Sequence, residues 1–262
     1  MKTVLITGAH GFIGQNLSSR LRERSRFKVI DYGHADDDAA LADAVRRADF
    51  VVHLAGVNRP QDPGEFEVGN ARYTREMCDA ISSSGRAAPV IYASSTQAAA
   101  ENPYGASKRA AEDALLHYSA QTGAPVHIFR LTNVFGRWAR PNYNSVVATF
   151  CHNISHDLPV TIHDPAAKLR LLYVDDVVDA FADLLDSPPP ESGFRDVSSV
   201  YETTVGELVA IIRGFRAADC STDGPALDGA LERALHATYV SYRDPDADRA
   251  ALENRIPRLD PT

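Results

Sequence analysis

Short apolar runs alternate with stretches of helical periodicity along the first half of the chain. The runs are rich in β-branched residues, as in strands buried in a parallel sheet, and lie at 1–7, 27–32, 49–55, 89–93 and 126–131. Between them, apolar residues recur at helical spacing, which predicts helices from Ile13, at 39–48, at 70–83 and from Tyr104. This alternation predicts an α/β fold, a Rossmann-type doubly wound parallel sheet.

The second half of the chain continues this pattern less regularly. Helices are predicted at 146–154 and 177–185, and a short strand at 171–174. Thr204 and Glu207 stand in the register of a capping box that opens another helix. After Asp219 the pattern is weak, and the charged tail from Asp244 is expected to be partly disordered.

These elements predict one extended domain over residues 1–262. A dinucleotide-binding core is expected at about 1–135. A small C-terminal substrate-binding lobe, with returning elements of the core, is expected at 136–243, and a tail at 244–262.

A glycine-rich turn follows the first predicted strand. Gly8, Gly11 and Gly14 form a G-x-x-G-x-x-G pattern that leads directly into a helix. Glycines at such a turn let the backbone approach a pyrophosphate, and the helix N-terminus faces the phosphate charge. The order of strand, glycine turn and helix therefore predicts a dinucleotide site. The remaining residues assigned to this part of the site are His10, Phe12 and Ile13.

Two further strand ends are candidates for cofactor contacts. Asp31 ends the second strand, about 20 residues beyond the turn, where a carboxylate accepts hydrogen bonds from a ribose and repels a 2′-phosphate, which favours NAD. An aspartate that only caps the loop fits the sequence equally well. His34 is the nearest candidate partner for a phosphate. The third strand closes at Leu54, Ala55 and Gly56, where a small residue lets the backbone approach a cofactor.

Tyr104 and Lys108 lie four residues apart in a predicted helix, on one face and about one turn apart. An ammonium near a phenol favours the phenolate, so this spacing predicts that Lys108 lowers the pKa of Tyr104. Such a phenol exchanges a proton with a carbonyl oxygen as hydride reaches the carbon. A tyrosine and a lysine at this spacing are often ordinary surface residues. The glycine turn and Ser94-Ser95-Thr96, expected at the ligand-binding edge of the sheet, favour the catalytic interpretation.

A polar, aromatic and basic loop follows the strand at 126–131. Trp138 and Tyr143 stand beside Arg137 and Arg140, a combination that suits an anionic, ring-bearing ligand such as a sugar nucleotide. The same residues suit a protein partner, and the sequence leaves both interpretations open.

The amino-acid composition indicates the general class of protein. The 262 residues are 44% hydrophobic and 24% charged with a net charge of −8, as expected for a cytoplasmic globular protein that does not bind nucleic acid. No apolar run is long enough for a membrane span, and the N-terminus lacks a signal-peptide pattern. Cys78, Cys151 and Cys220 are scattered, which predicts buried free thiols and neither disulfides nor a metal site.

In this order, the glycine turn, Ser94-Ser95, Tyr104 and Lys108 resemble the extended short-chain dehydrogenase/reductase family, also described as the NAD-dependent epimerase/dehydratase family. The segments HLAG at 53–56 and RLTNVFG at 130–136 are similar to two further motifs of that family. Four segments, VHLAGVNRP, NPYGASK, RPNYNSVVATFC and YVDD, look most like the reductase domain of the bifunctional capsule and O-antigen enzymes that reduce UDP-2-acetamido-2,6-dideoxy-4-ketohexoses.

The resemblance implies a role for each matching residue. Tyr104 would donate the proton, Lys108 would hold the nicotinamide ribose and tune Tyr104, and Ser95 would hydrogen-bond the substrate carbonyl. Second choices for the carbonyl contact are Ser94 and Thr96. The residues that would contact the sugar diphosphate are Asn133, Arg140, Asn142 and Asn144. The resemblance also implies NADPH, against the preference for NAD indicated by Asp31, and a homodimer formed through the Tyr104 helix and its neighbour.

Three departures from the family pattern bear on the activity. Thr96-Gln97 stand where the dehydratases of the family carry Asp-Glu, so a 4,6-dehydratase would lack its general acid. Leu169 stands where many relatives carry an arginine that contacts phosphate. The bifunctional enzymes continue into a cupin domain, which is expected to be absent from this chain.

The sequence thus predicts a reductase of the 4-keto group of a nucleotide-linked 6-deoxy (amino)sugar in polysaccharide biosynthesis, with NADPH favoured slightly over NAD. A nucleotide-sugar 4-epimerase that keeps its NAD bound is the first alternative, and Asp31 supports it mildly. A dinucleotide-binding protein without turnover is the second alternative. The presence of Ser95, Tyr104 and Lys108 together argues against it.

Overall fold

The computed structural model describes residues 1–219, 224–225 and 227–243. The strands are β1 (Lys2–Thr7), β2 (Phe27–Tyr32), β3 (Phe50–His53), β4 (Val90–Ser95), β5 (Val126–Leu131), β6 (Asn133–Phe135), β7 (Lys168–Tyr173), β8 (Gly193–Arg195) and β9 (Val200–Thr204). The helices are α1 (Phe12–Glu23), α2 (Asp38–Arg47), α3 (Gly64–Phe66), α4 (Tyr73–Ser83), α5 (Pro103–Thr122), α6 (Val146–Ser155), α7 (Val174–Asp186), α8 (Val205–Ala218) and α9 (Ala230–Val240). A π-helical turn at Glu67–Arg72 leads into α4, and a 3₁₀ turn at Thr96–Ala99 follows β4.

Six of the described strands form a parallel sheet in the order β2-β1-β3-β4-β5-β8. The strand order reverses at β1, which pairs with β2 on one side and β3 on the other. Thr7 at the end of β1 stands opposite Tyr32 of β2 and His53 of β3, so these strands end at one edge. Ligands bind at such an edge in doubly wound sheets. The predicted α/β class is confirmed.

Successive side chains of β1 point to opposite faces of the sheet. Val4 and Ile6 belong to a cluster that contains the buried faces of α1 and α7. Leu5 points the other way, into a cluster built by α2, α4 and α5. Because both faces are covered by helices, the strands are mostly apolar, as the sequence pattern predicted.

The chain forms two compact units. The first comprises Met1–Val134 and Arg170–Val200 and contains the six-stranded sheet. The second comprises Phe135–Leu169 and the described residues from Tyr201 onward. Within the second unit, the Tyr239 hydroxyl of α9 donates to Asp219 Oδ2 at 2.6 Å, which ties α9 to the end of α8. The strands β6, β7 and β9 form a second sheet in that order.

The sequence did not predict α9. Its buried residues are Ala234 and Thr238 beside Leu235 and Tyr239. Since two of the four are small or polar, the sequence shows no clear pattern of large apolar residues at helical spacing. Cys78 and Cys151 are buried and free as predicted, whereas Cys220 and the predicted tail from residue 244 lie outside the described residues.

None of the described helices combines the length and the apolarity needed to cross a membrane.

The predicted capping box at the start of α8 is confirmed. Thr204 Oγ1 accepts from the Glu207 backbone N–H at 3.2 Å, and Glu207 Oε2 accepts from the Thr204 N–H at 2.8 Å. We expect Thr204→Ala to lower the free energy of unfolding by about 1 kcal/mol, because it removes an acceptor from the helix N-terminus. Chemical denaturation measures the loss. The control is Thr161→Ala at an exposed loop position, and equal losses in both variants would contradict the capping role.

Candidate active site

The glycine turn closes tightly onto backbone at the carboxyl end of β1. A Cβ added at Gly14 would lie 2.3 Å from the Gly8 carbonyl oxygen, and one added at Gly8 would lie 2.7 Å from the Ala55 nitrogen. Gly8 also has a φ of +70°, which favours glycine. The helix α1 begins after Gly11 with no side-chain cap and no acidic residue in its first turn. Such an uncapped N-terminus beside close backbone fits the pyrophosphate of a dinucleotide.

The other residues predicted to contact the dinucleotide near the turn differ in how far they are buried. Phe12, Ile13 and Leu54 are half-buried and pack against the core cluster between the sheet and the helices α1 and α7. His10 is exposed, and its ring lies so close to Gly33 that a Cβ there would be 2.4 Å from His10 Cδ2. His34 and Gly56, which were predicted to contact the cofactor beyond strand ends, are also exposed.

The Asp31 carboxylate contacts two side chains of α1. Oδ1 accepts from the Ser18 hydroxyl at 2.8 Å, and Oδ2 pairs with the Arg22 guanidinium. The positive charge of Arg22 opposes the negative charge that was expected to repel a 2′-phosphate. A ribose contact of Asp31, and the preference for NAD that this contact would favour, stay predictions.

The helix α5 starts at the position that brings Tyr104 to the end of β4. The Asn102 side chain caps it by accepting from the Gly105 N–H at 2.8 Å, and Pro103 occupies the first turn. A Cβ on Gly105 would lie 2.1 Å from the Gln97 carbonyl oxygen, so α5 approaches the 3₁₀ turn after Ser95 very closely. This close approach places Tyr104 and Ser95 in one site.

The Tyr104 side chain is largely buried and touches the Phe66 ring, with ring centroids 5.4 Å apart. Burial raises the pKa of Tyr104, and a side-chain hydrogen bond with Ser95 opposes that rise. The sequence-based expectation that Lys108 lowers this pKa is therefore wrong for this structure. The physical reason is that desolvation of the phenolate outweighs the stabilising contacts.

The Lys108 ammonium is buried and points at the strand beneath the helix. Nζ donates to the Ala93 carbonyl oxygen at 2.9 Å and lies 4.6 Å from the centre of the Tyr92 ring. Burial lowers the pKa of Lys108 to about 8, while the carboxylate of Glu112 acts in the opposite direction. Lys108 therefore loses its proton as the pH rises through about 8.

The three predicted hydroxyls after β4 differ in what they contact. Ser94 is buried and its hydroxyl donates to Glu112 Oε1. Ser95 is half-buried, and its hydroxyl accepts from the Gln97 backbone N–H at 3.2 Å. Thr96 is exposed at the start of the 3₁₀ turn. Of the three, Ser95 is the one whose hydroxyl lies beside Tyr104, so the geometry favours it over Ser94 for a carbonyl contact.

Sequence reasoning missed Asn70, which lies in the π-helical turn. Its side chain accepts from the Val57 N–H, donates to the Val57 carbonyl oxygen, both at 2.9 Å, and donates to Ser107 Oγ at 3.0 Å. Asn70 thus joins the loop after β3 to the helix that carries Tyr104 and Lys108. A Cβ on Gly56 would lie 2.6 Å from Asn70 Oδ1, so a larger residue there would displace the Asn70 amide from its hydrogen bonds. The local sequence carries no pattern that indicates a contact across 37 residues.

His53 was noted only as part of a family motif, and the structure assigns it a bracing position. Its Nδ1 lies 2.7 Å from Thr7 Oγ1 and its Nε2 lies 2.9 Å from Thr74 Oγ1. Burial, together with the charge of Lys108, lowers the pKa of His53 to about 3, so the ring is neutral at physiological pH. His53 therefore links the ends of β1 and β3 to α4.

The residues predicted to contact a sugar diphosphate are divided between the two units. Asn133, in the first unit, is exposed and donates to the Arg170 carbonyl oxygen at 3.3 Å. In the second unit, the Asn142 and Asn144 side chains are exposed and the Arg140 guanidinium lies over the Tyr143 ring. The approach of these residues to a substrate stays a prediction.

In the described part of the chain, no group of three or more His, Cys, Asp or Glu side chains is placed to hold a metal ion.

Comparison with known proteins agrees with the fold. The profile of the NAD dependent epimerase/dehydratase family matches residues 4–194. The UDP-2-acetamido-2,6-beta-L-arabino-hexul-4-ose reductase of Pseudomonas aeruginosa is 45% identical over 244 residues, which cover 93% of this chain and 66% of that protein.

Solved structures resemble the chain over most of its length. The capsular polysaccharide assembling protein CapF from Staphylococcus aureus aligns with a TM-score of 0.82 at 35% identity, covering 92% of this chain and 65% of that one. A UDP-glucuronic acid 4-epimerase from Bacillus cereus, solved in complex with NAD, aligns with a TM-score of 0.79 at 19% identity over 92% of this chain and 96% of that one, which shows a shared fold. The chain therefore spans about two thirds of the length of the reductase and of CapF. Since the family profile covers most of the sequence and the fold agrees with it, the chain belongs to the NAD dependent epimerase/dehydratase family.

Proposed function

We propose that the chain reduces the 4-keto group of a nucleotide-linked 6-deoxy amino sugar, with hydride from a reduced nicotinamide dinucleotide and a proton from Tyr104. The observation that carries the proposal is the close approach of α5 to the turn after Ser95, which brings Ser95, Tyr104 and the buried Lys108 ammonium together at the end of β4. The 45% identity to a protein named as a UDP-linked hexulose reductase supports the substrate class.

Each of the three side chains has a distinct task in the proposal. When bound, the dinucleotide supplies the hydride that reaches the carbonyl carbon. Tyr104 gives its proton to the carbonyl oxygen, and its raised pKa keeps it protonated and able to donate at neutral pH. Ser95 hydrogen-bonds the same oxygen as negative charge develops there. Lys108, whose ammonium is buried beneath α5, would hold the nicotinamide ribose.

The dinucleotide would be held at the carboxyl edge of the sheet. Gly8, Gly14 and the first turn of α1 would contact its pyrophosphate, and Lys108 its nicotinamide ribose. NADPH is slightly favoured over NADH because Arg22 neutralises Asp31, and because the exposed His34 lies just beyond β2. A preference for NADH would instead indicate that Asp31 leaves its ion pair to bind the ribose.

The second unit would act as the substrate-binding lobe. Its exposed asparagines and the stacked Arg140 suit the diphosphate and the ring of a sugar nucleotide. The chain also carries Thr96-Gln97 in place of the acidic pair of the family's dehydratases, which favours reduction over dehydration.

The proposal extends to the setting of the enzyme. We expect a cytoplasmic homodimer that serves surface-polysaccharide synthesis, paired through the α4 and α5 faces, where Leu116 is exposed. Light scattering of the purified protein measures the oligomeric state, and a monomer across the working concentration range would contradict the dimer.

A 4-epimerase is the alternative that one observation favours. Asp31, the next-to-last residue of β2, stands in the position that suits NAD, and an epimerase would retain NAD and consume no reduced cofactor.

The assay that separates the two functions follows the absorbance of reduced nicotinamide. The protein is mixed with a UDP-4-keto-6-deoxy-N-acetylhexosamine and, in separate samples, NADPH or NADH. We expect consumption of reduced cofactor, faster with NADPH. No consumption of either, together with NAD released from the denatured protein, would favour the epimerase.

A further inference from the structure

A buried carboxylate lies one helical turn beyond Lys108. Glu112 has a side chain only 3% exposed, and its two oxygens accept three hydrogen bonds. Oε1 accepts from the Ser94 hydroxyl and from Arg130 Nε at 3.0 Å, and Oε2 accepts from Arg130 Nη2 at 2.6 Å. An arginine fork and a hydroxyl are donors that suit both oxygens of a carboxylate.

These bonds join three elements of the site. Glu112 belongs to α5, which carries Tyr104 and Lys108. Ser94 belongs to β4, directly before Ser95, and stands opposite Arg130 of β5 in the sheet. The bidentate pair therefore fixes the helix at a defined height over the strand ends, and with it the distance between Tyr104 and Ser95.

We propose that Glu112 is a positioning residue of the reducing site: it holds α5 against β4 and β5 and keeps a fixed negative charge one helical turn from the Lys108 ammonium. The inference rests on the proposed function where it concerns turnover. Its effect on Lys108 is a property of the chain alone and is measurable without a substrate.

Of the titratable groups around Lys108, Glu112 supplies the negative charge that compensates the ammonium. Tyr104 and Glu112 share its helix, Tyr92 faces it from β4, and His53 lies near it at the end of β3. Both tyrosines are neutral at physiological pH because burial raises the pKa of each, and His53 is neutral because burial lowers its pKa to about 3. Burial also lowers the pKa of Lys108 to about 8, and Glu112 opposes that fall.

The chain suits a direct measurement because it contains four lysines, at positions 2, 28, 108 and 168. Lysine labelled with carbon-13 at Cε gives one NMR signal for each, and Lys108→Arg identifies the signal of interest. We expect Glu112→Gln to lower the titration midpoint of Lys108 by about one pH unit, because an opposing charge is lost and Arg130 is left unpaired. An unchanged midpoint would overturn the inference.

The matched control is Asp113→Asn. Asp113 is the next residue of the same helix, it is exposed, and its substitution removes the same charge. We expect its Lys108 midpoint to equal that of the wild type. An equal downward shift in both variants would also overturn the inference, since general charge would then explain it. If Glu112→Gln does not fold, the double variant Glu112→Gln/Arg130→Gln removes both charges of the pair, and a smaller fall in the Lys108 midpoint is expected because the positive charge of Arg130 is lost with the negative charge of Glu112.

Turnover is measured on the same proteins. In Glu112→Gln, we expect the alkaline limb of the pH profile of kcat to move down by the same amount as the Lys108 midpoint, which a merely structural role would not cause. A fall in kcat that is uniform across the pH range would contradict the positioning role. If the wild type turns over no sugar nucleotide while the Glu112→Gln midpoint still falls, the proposed function fails and the Glu112 inference stands.

Discussion

Substitution of Tyr104 by phenylalanine is expected to lower kcat by about 10²–10⁴-fold, the range that general acid catalysis supplies. In the proposed reaction the phenol donates to the carbonyl oxygen, and the neighbouring Ser95 hydroxyl is too weakly acidic to replace it. Dinucleotide affinity is expected to stay within about threefold of the wild type, since phenylalanine keeps the ring contact with Phe66 and leaves the glycine turn and Lys108 in place.

Steady-state kinetics and a dinucleotide titration by fluorescence measure the two quantities. The matched control is Tyr118→Phe on the same helix, where the lost hydroxyl donates to the Ala88 carbonyl oxygen and takes no part in the site. This control is expected to lose some stability while kcat is unchanged. Loss of dinucleotide binding together with turnover in Tyr104→Phe would contradict the separation between proton donor and cofactor site.

Substitution of Gly14 by alanine is expected to disrupt the dinucleotide site. The new Cβ would lie 2.3 Å from the Gly8 carbonyl oxygen and 2.7 Å from the Ala9 Cα, and both are backbone atoms that cannot rotate away. The turn must move off α1, which costs about 1–3 kcal/mol of stability in an overpacked site. We expect dinucleotide affinity to fall at least about tenfold, equivalent to about 1.4 kcal/mol.

The control for this substitution is Gly214→Ala in α8. No atom lies within 4 Å of a Cβ added there, and the position is exposed in a helix interior. It is expected to raise the free energy of unfolding by about 0.5–1 kcal/mol, the usual gain of alanine over glycine in a helix. Thermal unfolding and dinucleotide titration of both variants test the pair. Wild-type affinity in Gly14→Ala would show that the turn does not hold the dinucleotide.

The parts of the fold that local patterns determine were predictable. The strands at 27–32 and 126–131 match the structure at both ends, because short and mostly apolar runs mark the strands of a sheet that is covered on both faces. The capping box at Thr204 was equally accessible, since its two partners lie three residues apart. The predicted strand at 89–93 is longer in the structure and ends at Ser95, because the two serines continue the pairing with β5.

The parts of the site that depend on burial were not predictable from the sequence. The spacing of Tyr104 and Lys108 correctly indicated one face of a helix, yet the pKa of the tyrosine moves opposite to the expected direction because the interior desolvates it. Ser94 was a candidate for the substrate carbonyl, but its hydroxyl donates to Glu112, 18 residues away. Asn70 likewise reaches its partner across 37 residues. Such contacts follow from tertiary packing, which no local pattern encodes.

Hydride transfer is tested most directly with NADPH that carries deuterium at the transferred position of the nicotinamide. The protein, the labelled cofactor and a UDP-4-keto-6-deoxy-N-acetylhexosamine are incubated, and the sugar nucleotide is analysed by mass spectrometry and NMR. We predict a product with one deuterium at C4 and one molecule of cofactor oxidised for each molecule of product. A sugar product without deuterium, formed with no oxidation of NADPH, would contradict the assignment of the chain as a 4-ketoreductase.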